Sequence, residues 1–277
     1  MITCFIFSKD RAFQLDALLR SIYKNCPIFD NLIVLYDASS LDLDAGYHKL
    51  QADHYVTLEK QTNFEQDVKD LLSKYTCLCY EHVCLMTDDS LFFRPGKFDK
   101  HNVKAAFDRH NPACVSMRLG LNIAQPLGNN QFAKILDYST DSDGVFIYWD
   151  RTRYHPWYDL NYPLSLDGNI FKRDVLCDLL QPLHFTQPND LEVKLLGQAY
   201  KLPSTIVSCR HSICTNITLN AVQTMMKNPE GRYSYSLEKL NTMYLDGIEL
   251  DLERMEFDNI TKTHEDVKPL FRIVKGD

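Results

Sequence analysis

The sequence predicts an α/β protein with a mostly parallel sheet flanked by helices. Short apolar runs alternate with amphipathic helical patterns through the first half of the chain, an order typical of parallel sheets. The chain has 277 residues, of which 45% are hydrophobic and 24% charged, and such a chain can bury a substantial core. Its 10 glycines and 11 prolines are too few for a collagenous or low-complexity protein.

The first half contains four predicted strands and two predicted helices. The strands are apolar runs at residues 2–7, 31–36, 54–58 and 82–86, and the helices, with apolar residues on one face, span 11–24 and 64–72. Ligands of parallel sheets bind at the carboxyl ends of the strands. Four acidic residues follow predicted strands and are therefore expected at one sheet edge: Asp10, Asp37, Asp88 and Asp89.

The second half is less regular. Strands are predicted at 113–119, 145–149 and 205–208, short helices at 172–180 and 190–200, and loops at 141–144 and 151–163. From about residue 216 the pattern becomes helical and more polar. Because the chain contains no internal repeat and no linker, we expect one domain with a helical C-terminal extension.

The charge balance limits the class of partner. The chain has 30 Lys and Arg against 37 Asp and Glu, a formal net charge of −7. A nucleic-acid polymer requires a basic face, so such a partner is not expected. A small anionic ligand remains compatible with this charge, because a metal ion or a helix N-terminus can supply local positive charge.

The nine cysteines predict free thiols. No Cys-x-x-Cys pair occurs, and the closest group is Cys77, Cys79 and Cys84, so a structural zinc site is not expected. The first apolar run is too short for a signal peptide, and no run reaches the roughly 18 apolar residues of a membrane span. These observations predict a cytoplasmic protein without a transmembrane segment, and the sequons at Asn216 and Asn259 are interpreted as chance matches.

The most informative motif lies at residues 85–95, where an apolar strand leads into Asp88 and Asp89 and then into a second apolar stretch. Buried carboxylates are costly unless they are paired or bind a metal. Mg²⁺ and Mn²⁺ prefer oxygen ligands, commonly one or two carboxylates together with substrate phosphates. The alternative is a simple turn, because Asp and Ser are common turn residues.

Four stretches in order resemble the nucleotide-diphospho-sugar glycosyltransferases of the GT-A fold. Residues 6–22 and 32–40 resemble their first two strands and the intervening helix, and residues 86–98 resemble their Asp-x-Asp region, in the Glu-Asp-Asp form of the N-acetylglucosaminyltransferase I type. The fourth stretch, 166–176 followed by 189–193, resembles family-2-type enzymes. Asn189 replaces the usual Glu of that motif, and Thr87 and Ser90 flank the two aspartates in place of further acids.

The resemblance implies a GT-A-type, Rossmann-like catalytic domain at residues 1–215. Its nucleotide-sugar-binding half would be 1–100, its acceptor-binding half 101–215, and the C-terminal extension 216–277. The implied reaction transfers a sugar from a nucleotide-diphosphate donor, expected to be a UDP-sugar, to a hydroxyl of a glycan or small acceptor. It implies Mn²⁺ or Mg²⁺ as cofactor and, with a carboxylate base, inversion at the anomeric carbon. The oligomeric state is open, with a homodimer as one option.

The resemblance also implies roles for individual residues. Asp190 would be the catalytic base, with Glu192 as second candidate, although a first-turn acid of a helix is an equally ordinary position for Asp190. Asp89 and His211 would hold the metal. Three aromatic residues could stack on an acceptor sugar or simply pack in the core: Trp149, Trp157 and Tyr158. The donor-binding candidates are Lys9, Arg11, Asp37, Asp88, Asp167, Gly168 and Asn169.

Three other functions are weighed against the transferase. A sugar nucleotidyltransferase shares the sheet architecture but usually has a Gly-rich loop after the first strand, where this chain has none. A non-catalytic nucleotide-sugar-binding protein of the same fold would explain Thr87, Ser90 and Asn189. A thiol or redox enzyme has little support from the scattered cysteines.

Overall fold

A computed structural model describes residues 1–74, 81–128, 131–220 and 232–274 of the chain. Its centre is a nine-stranded sheet with the strand order β3-β2-β1-β4-β11-β6-β12-β10-β9. The strands of this sheet are β1 (Ile2–Lys9), β2 (Asn31–Asp37), β3 (Thr57–Lys60), β4 (His82–Thr87), β6 (Cys114–Ser116), β9 (Ser139–Thr140), β10 (Phe146–Asp150), β11 (Asn169–Lys172) and β12 (Thr205–Cys209).

The first four strands form a fully parallel half-sheet. Strand β1 lies between β2 and β4, and β3 pairs with the outer edge of β2. The register brings the carboxyl ends together, because Lys9 pairs with Asp37 and Phe7 pairs with Thr87. The residues that follow β1, β2 and β4 therefore meet at one edge, as the sequence predicts.

The second half-sheet is mixed. Strand β11 lies antiparallel between β4 and β6, β12 is parallel to β6, and β10 is antiparallel to both β12 and β9. Among the described strands of this sheet, seven of the nine consequently run in one direction. The α/β class with a mostly parallel sheet is confirmed.

Helices cover both faces of the sheet. They are α1 (Ala12–Asn25), α2 (Leu41–Asp53), α3 (Phe64–Lys74), α4 (Lys100–His110), α5 (Arg173–Leu180), α6 (Pro188–Leu196) and α7 (Leu237–Leu245). Alternate residues of β1 point to opposite faces, so Cys4 and Ile6 join the core under α1 while Phe5 and Phe7 join the core under α3. Helices α2 and α4 are absent from the sequence prediction.

The predicted helical C-terminal extension is corrected by the structure. After residue 216 the described part of the chain contains one helix, α7, together with β14 (Ile248–Leu250), β15 (Phe271–Ile273) and irregular segments. Helix α7 packs on α1 and α2, and Leu240 and Tyr244 are buried in the same core as α1. Residues after 216 are thus part of the main core on one face of the sheet.

The remaining strands form three small ribbons. Strand β5 (Ser90–Phe92) pairs with β13 (Cys214–Asn216), β14 pairs with β15, and β7 (Gln125–Gly128) pairs with β8 (Gln131–Ala133). The β5–β13 pair matters for the site, because it brings Asn216 beside the segment that follows β4.

Seven cysteines in the described part of the chain are free thiols, and six of these are buried. Cys77 and Cys79 lie outside the described residues. None of the helices described here combines the length and apolar character needed to cross a membrane.

Candidate active site

A cleft of about 810 Å³ opens at the carboxyl ends of the parallel strands. Its walls come from the ends of β1, β2 and β4, from the N-terminal turn of α6, and from residues after β13. Among the described residues that line it, six are carboxylates and three are Lys or Arg. The carboxylates are Asp37, Asp88, Asp89, Asp159, Asp167 and Glu192.

Lys9 and Asp37 form one end of the cleft. Their strands end side by side, and Lys9 Nζ lies 2.5 Å from Asp37 Oδ2. Both side chains are substantially exposed, at 50% and 31%. Gln61 and Phe64, which the sequence reasoning missed, line the cleft beside them. Asp10, although it follows β1, does not line the cleft, and its carboxylate instead accepts the backbone N–H of Ser39.

Asp88 and Asp89 share the guanidinium of Arg11. Arg11 Nη1 lies 3.0 Å from Asp88 Oδ1 and 3.6 Å from Asp89 Oδ2. Asp88 also accepts hydrogen bonds from Ser8 Oγ at 2.9 Å and from the Lys9 backbone N–H at 3.3 Å. Burial, together with the charge of Asp89, raises the pKa of Asp88 to about 6 against the opposing effect of Arg11.

Asn220 fixes Arg11 from the other side. Its Oδ1 accepts Arg11 Nε at 2.8 Å and Gln14 Nε2 at 2.9 Å. Asn220 is more than two hundred residues from Arg11 along the chain, so no local pattern in the sequence predicts that the two would meet. The guanidinium is held on three sides and therefore cannot turn away from the two aspartates.

Asp89 provides the open carboxylate oxygen of the pair. Its Oδ1 accepts Asn216 Nδ2 at 3.0 Å and Thr87 Oγ1 at 2.8 Å, whereas its Oδ2 has only the 3.6 Å contact with Arg11 among the described residues. Asn216 is 2% exposed, and its Oδ1 has no hydrogen-bond partner in the described part of the chain. An open carboxylate oxygen suits a hard cation that takes its other ligands from water and phosphate.

The second group of charges surrounds Arg118, which the sequence reasoning also missed. The Arg118 side chain is 3% exposed, its Nη1 donates to Asp167 Oδ2 at 2.9 Å, and its Nη2 lies 3.5 Å from Asp159 Oδ1. Arg118 follows β6, whereas Asp167 precedes β11. Asn216 Nδ2 also donates to Asp167 Oδ1 at 3.0 Å and thereby links Asp167 to Asp89.

Glu192, on the first turns of α6, lies beside Asp167. Its carboxylate accepts the backbone N–H of Leu166 at 3.3 Å. Burial and the neighbouring charge of Asp167 raise the pKa of Glu192 to about 7, against the opposing effect of Arg118. A carboxyl group with this pKa exchanges a proton readily near neutral pH.

Asp190 does not line the cleft. Its Oδ2 accepts the backbone N–H of Thr186 at 2.9 Å and Lys194 Nζ at 3.0 Å, as expected for an acid in the first turn of a helix. Successive helix residues are about 100° apart, so Asp190 and Glu192 face nearly opposite directions. Asn189, three residues before Glu192, shares its face and lines the cleft.

Gly168 and Asn169 support the cleft without lining it. Gly168 has a φ of +86°, its N–H donates to Leu85 O, and its carbonyl accepts Met117 N–H. Asn169 is buried, and its Nδ2 donates to Pro163 O at 2.9 Å. Both residues hold the segment that carries Asp167 against β4 and β6.

The remaining predicted site residues lie elsewhere. His211 is exposed and is absent from the cleft wall, where His264 is found instead. Trp149 is 3% exposed and donates its indole N–H to Leu160 O, which makes it a core residue. Trp157 is 73% exposed and Tyr158 is partly buried, and neither lines the cleft.

No family model matches the chain. The "Bifunctional glycosyltransferase pgtA" of Dictyostelium discoideum is 22% identical over 297 residues, which covers 94% of this chain and 37% of pgtA. The chain is homologous to a glycosyltransferase. The chain spans little more than a third of the length of that relative. The resemblance to glycosyltransferases that the sequence motifs indicate is confirmed.

The chain is also similar to solved structures, including the following two. Staphylococcus aureus TarS 1–349 in complex with UDP is 14% identical, covers 76% of this chain and 58% of its own, and has a TM-score of 0.46. The 4-diphosphocytidyl-2C-methyl-D-erythritol synthase of Anaerococcus prevotii is 11% identical, covers 88% and 96% of the two chains, and has a TM-score of 0.41.

Proposed function

We propose that this protein is a glycosyltransferase that moves a sugar from a nucleotide-diphosphate donor to an acceptor hydroxyl. The observation that carries the proposal is the arrangement of Asp37, Asp89 and Glu192 along one cleft at the carboxyl ends of the strands. Homology to a glycosyltransferase over 94% of the chain agrees with it. The three carboxylates correspond to the three parts of such a reaction: nucleoside, diphosphate and acceptor.

The nucleoside would bind at the exposed end of the cleft. Asp37 accepts hydrogen bonds only, and Lys9 donates them, so the pair matches a base that presents a ring N–H next to carbonyl oxygens. Uracil has that pattern, which supports a UDP-sugar as donor. Gln61 offers both a donor and an acceptor at the same end, and Phe64 an apolar surface.

The diphosphate would lie between Arg11 and Asp89. Six carboxylates against three Lys or Arg side chains make the cleft wall negative, so a phosphate group requires an added cation. Asp89 would hold Mn²⁺ or Mg²⁺ through its open oxygen, with His264 the nearer histidine candidate in place of His211. When bound, the cation would neutralise charge on the diphosphate leaving group.

Glu192 would accept the proton of the acceptor hydroxyl. It lines the cleft, and its pKa of about 7 matches the task of a general base at neutral pH. Asp190, whose carboxylate is engaged by Lys194 and Thr186, would act structurally at the start of α6. A base that activates the acceptor directly favours a single displacement, and hence inversion at the anomeric carbon.

The acceptor would be a hydroxyl of a glycan or of a small molecule. Tyr162 and Asn189 flank Glu192 in the cleft and offer polar groups to it. Trp149, Trp157 and Tyr158 have no part in this proposal, because none of them lines the cleft.

The test is a transfer assay on the purified chain with a panel of sugar nucleotides, with and without Mn²⁺. We expect release of the nucleoside diphosphate with transfer to an added acceptor, and loss of it in Glu192→Gln. Asp190→Asn is the matched control, because it removes a carboxylate from the same helix but outside the cleft. Equal activity of Glu192→Gln and wild type would contradict Glu192 as base, and no turnover with any donor would contradict the transferase.

A second function rests on Arg11. Because its guanidinium lies against both Asp88 and Asp89, the acid pair is charge-balanced within the chain itself. A non-catalytic nucleotide-sugar-binding protein would keep this arrangement. It predicts donor binding by calorimetry that is independent of Mn²⁺ and unaccompanied by turnover.

A further inference from the structure

Arg118 is an enclosed charge next to the proposed base, and neither the motifs nor the resemblance assigns it a role. Its Nη1 donates to Asp167 Oδ2 at 2.9 Å and also to Ser165 Oγ, and its Nη2 lies 3.5 Å from Asp159 Oδ1. Its Nε is buried and has no hydrogen-bond partner in the described part of the chain. A guanidinium this deeply buried is retained at a large desolvation cost, which its two carboxylate partners offset.

The segment 165–167 joins Arg118 to Glu192. Arg118 donates to Ser165 Oγ and Asp167, Ser165 Oγ donates to Asp167 Oδ2 at 3.1 Å, and Glu192 accepts the Leu166 N–H. One three-residue segment, which leads into β11, is therefore fixed by the arginine on one side and faces the glutamate on the other. Displacement of Asp167 would move Leu166, whose N–H orients the Glu192 carboxylate.

Three charged or titratable groups face Glu192 from three elements. Asp167 precedes β11, Arg118 follows β6, and Tyr162 lies between β10 and β11 and donates a hydrogen bond to the backbone carbonyl of Glu192. Further out, Asp159 Oδ1 lies 3.5 Å from Arg118 Nη2, and the charge of His264 lowers the pKa of Asp167 without a hydrogen bond between them. The arginine is the positive charge that is in contact with this group of acids.

We propose that Arg118 is a positioning residue for the proposed transfer reaction, holding Asp167 and the segment before β11 so that the Glu192 carboxylate is aimed into the cleft. This inference rests on the proposed function. Arg118 acts through Asp167 and Ser165 and needs no contact with the substrates.

The direction of the effect follows from the charges. Asp167 raises the pKa of Glu192, whereas Arg118 lowers the pKa values of both carboxyl groups. Without Arg118 the Asp167–Glu192 pair retains one proton to higher pH, whichever of the two groups carries it. The acidic limb of the kcat–pH profile should therefore move to higher pH, by about one unit or more.

The experiment measures kcat–pH profiles at saturating donor for wild type, Arg118→Lys, Arg118→Met, Asp167→Asn and Arg118→Met/Asp167→Asn. We expect the acidic limb to move up in Arg118→Met and less in Arg118→Lys. In Asp167→Asn it should move down, and adding Arg118→Met to that variant should bring it back up. The comparison of Asp167→Asn with Arg118→Met/Asp167→Asn avoids an unpaired buried carboxylate at position 167. It therefore tests the proposal even if Arg118→Met alone fails to fold.

Arg151→Lys is the matched control. Arg151 is also buried, but its guanidinium donates to Asn161 and to backbone carbonyls of Ala199, Leu202 and Pro203 outside the cleft. We expect reduced stability with an unmoved acidic limb. Absence of transfer by wild type would overturn the proposed function and this inference with it. An active wild type whose acidic limb is the same with and without Arg118 would overturn only the inference.

Discussion

The two sides of the cleft differ in how their charges are balanced. On the strand-end side (Lys9, Arg11, Asp37, Asp88 and Asp89), two cations face three carboxylates, and the Lys9–Asp37 pair is well exposed. On the α6 side (Arg118, Asp159, Asp167 and Glu192), one buried guanidinium serves three carboxylates. The strand-end side is suited to binding a charged ligand, whereas the surplus of acid on the α6 side leaves Glu192 able to exchange a proton.

The largest effect should come from the α6 side. Glu192→Gln removes the proposed base at nearly unchanged volume, and we expect kcat to fall by about 10²- to 10⁴-fold, the usual range for general-base catalysis. Donor binding measured by calorimetry should be unchanged. Comparable losses in Glu192→Gln and Asp190→Asn would indicate that the start of α6 matters only structurally.

A smaller but still large effect is expected on the strand-end side. Asp89→Asn weakens the open oxygen proposed for the cation, and we expect turnover in Mn²⁺ to fall by about 10²-fold or more. Nucleotide affinity measured without metal should change little, because Asn216 and Thr87 can still hydrogen-bond to the new side chain. Mn²⁺ that enhances binding equally in wild type and variant would argue against Asp89 as a ligand.

The pH profile of the wild type distinguishes the two sides further. Because the pKa of Glu192 is raised to about 7, the base is protonated, and hence inactive, below that pH. We expect kcat to decrease about tenfold per unit as pH falls below 7. Nucleotide affinity should lack this transition, because it depends on the strand-end side. A parallel fall in kcat and in nucleotide affinity would contradict the division of the cleft into two independent sides.

The smallest effect should come from the exposed pair. Lys9→Ala removes a salt bridge whose lysine is 50% exposed, so stability should change by less than about 1 kcal/mol in thermal unfolding. We expect a few-fold rise in donor KM with kcat unchanged. Arg20→Ala, which removes an ion pair remote from the cleft, is the control and should leave donor KM as in wild type.

The parallel half-sheet was readable from the sequence. The observed β1, α1, β2, α3 and β4 agree with the predicted segments to within two residues at each end. Their apolar runs are local and strongly patterned, and β4 is followed by the Asp88–Asp89 pair. Helix α2 was missed because its buried face is narrow. The requirement for glycine at position 46 is visible only in the assembled core, where a Cβ would lie 2.3 Å from Asn241 Oδ1 of α7.

The part of the chain after residue 210 was not readable in this way. Strand β13 pairs with β5 across more than a hundred residues of sequence, and short strands of this kind carry no distinctive local period. Asn216 therefore appeared in the sequence only as part of a sequon. In the fold it is buried between Asp89 and Asp167.

The sequence by itself determined that strands and helices alternate and that Asp37, Asp88 and Asp89 follow strands, because hydrophobic periodicity is a local property of the chain. Only the tertiary structure decided that Glu192, and not Asp190, faces the cleft. Residues two positions apart on a helix differ by about 200° in direction, so the packing of the helix determines which of them is enclosed. The same holds for Arg11 and Arg118, whose roles depend on carboxylates that the chain brings to them from distant positions.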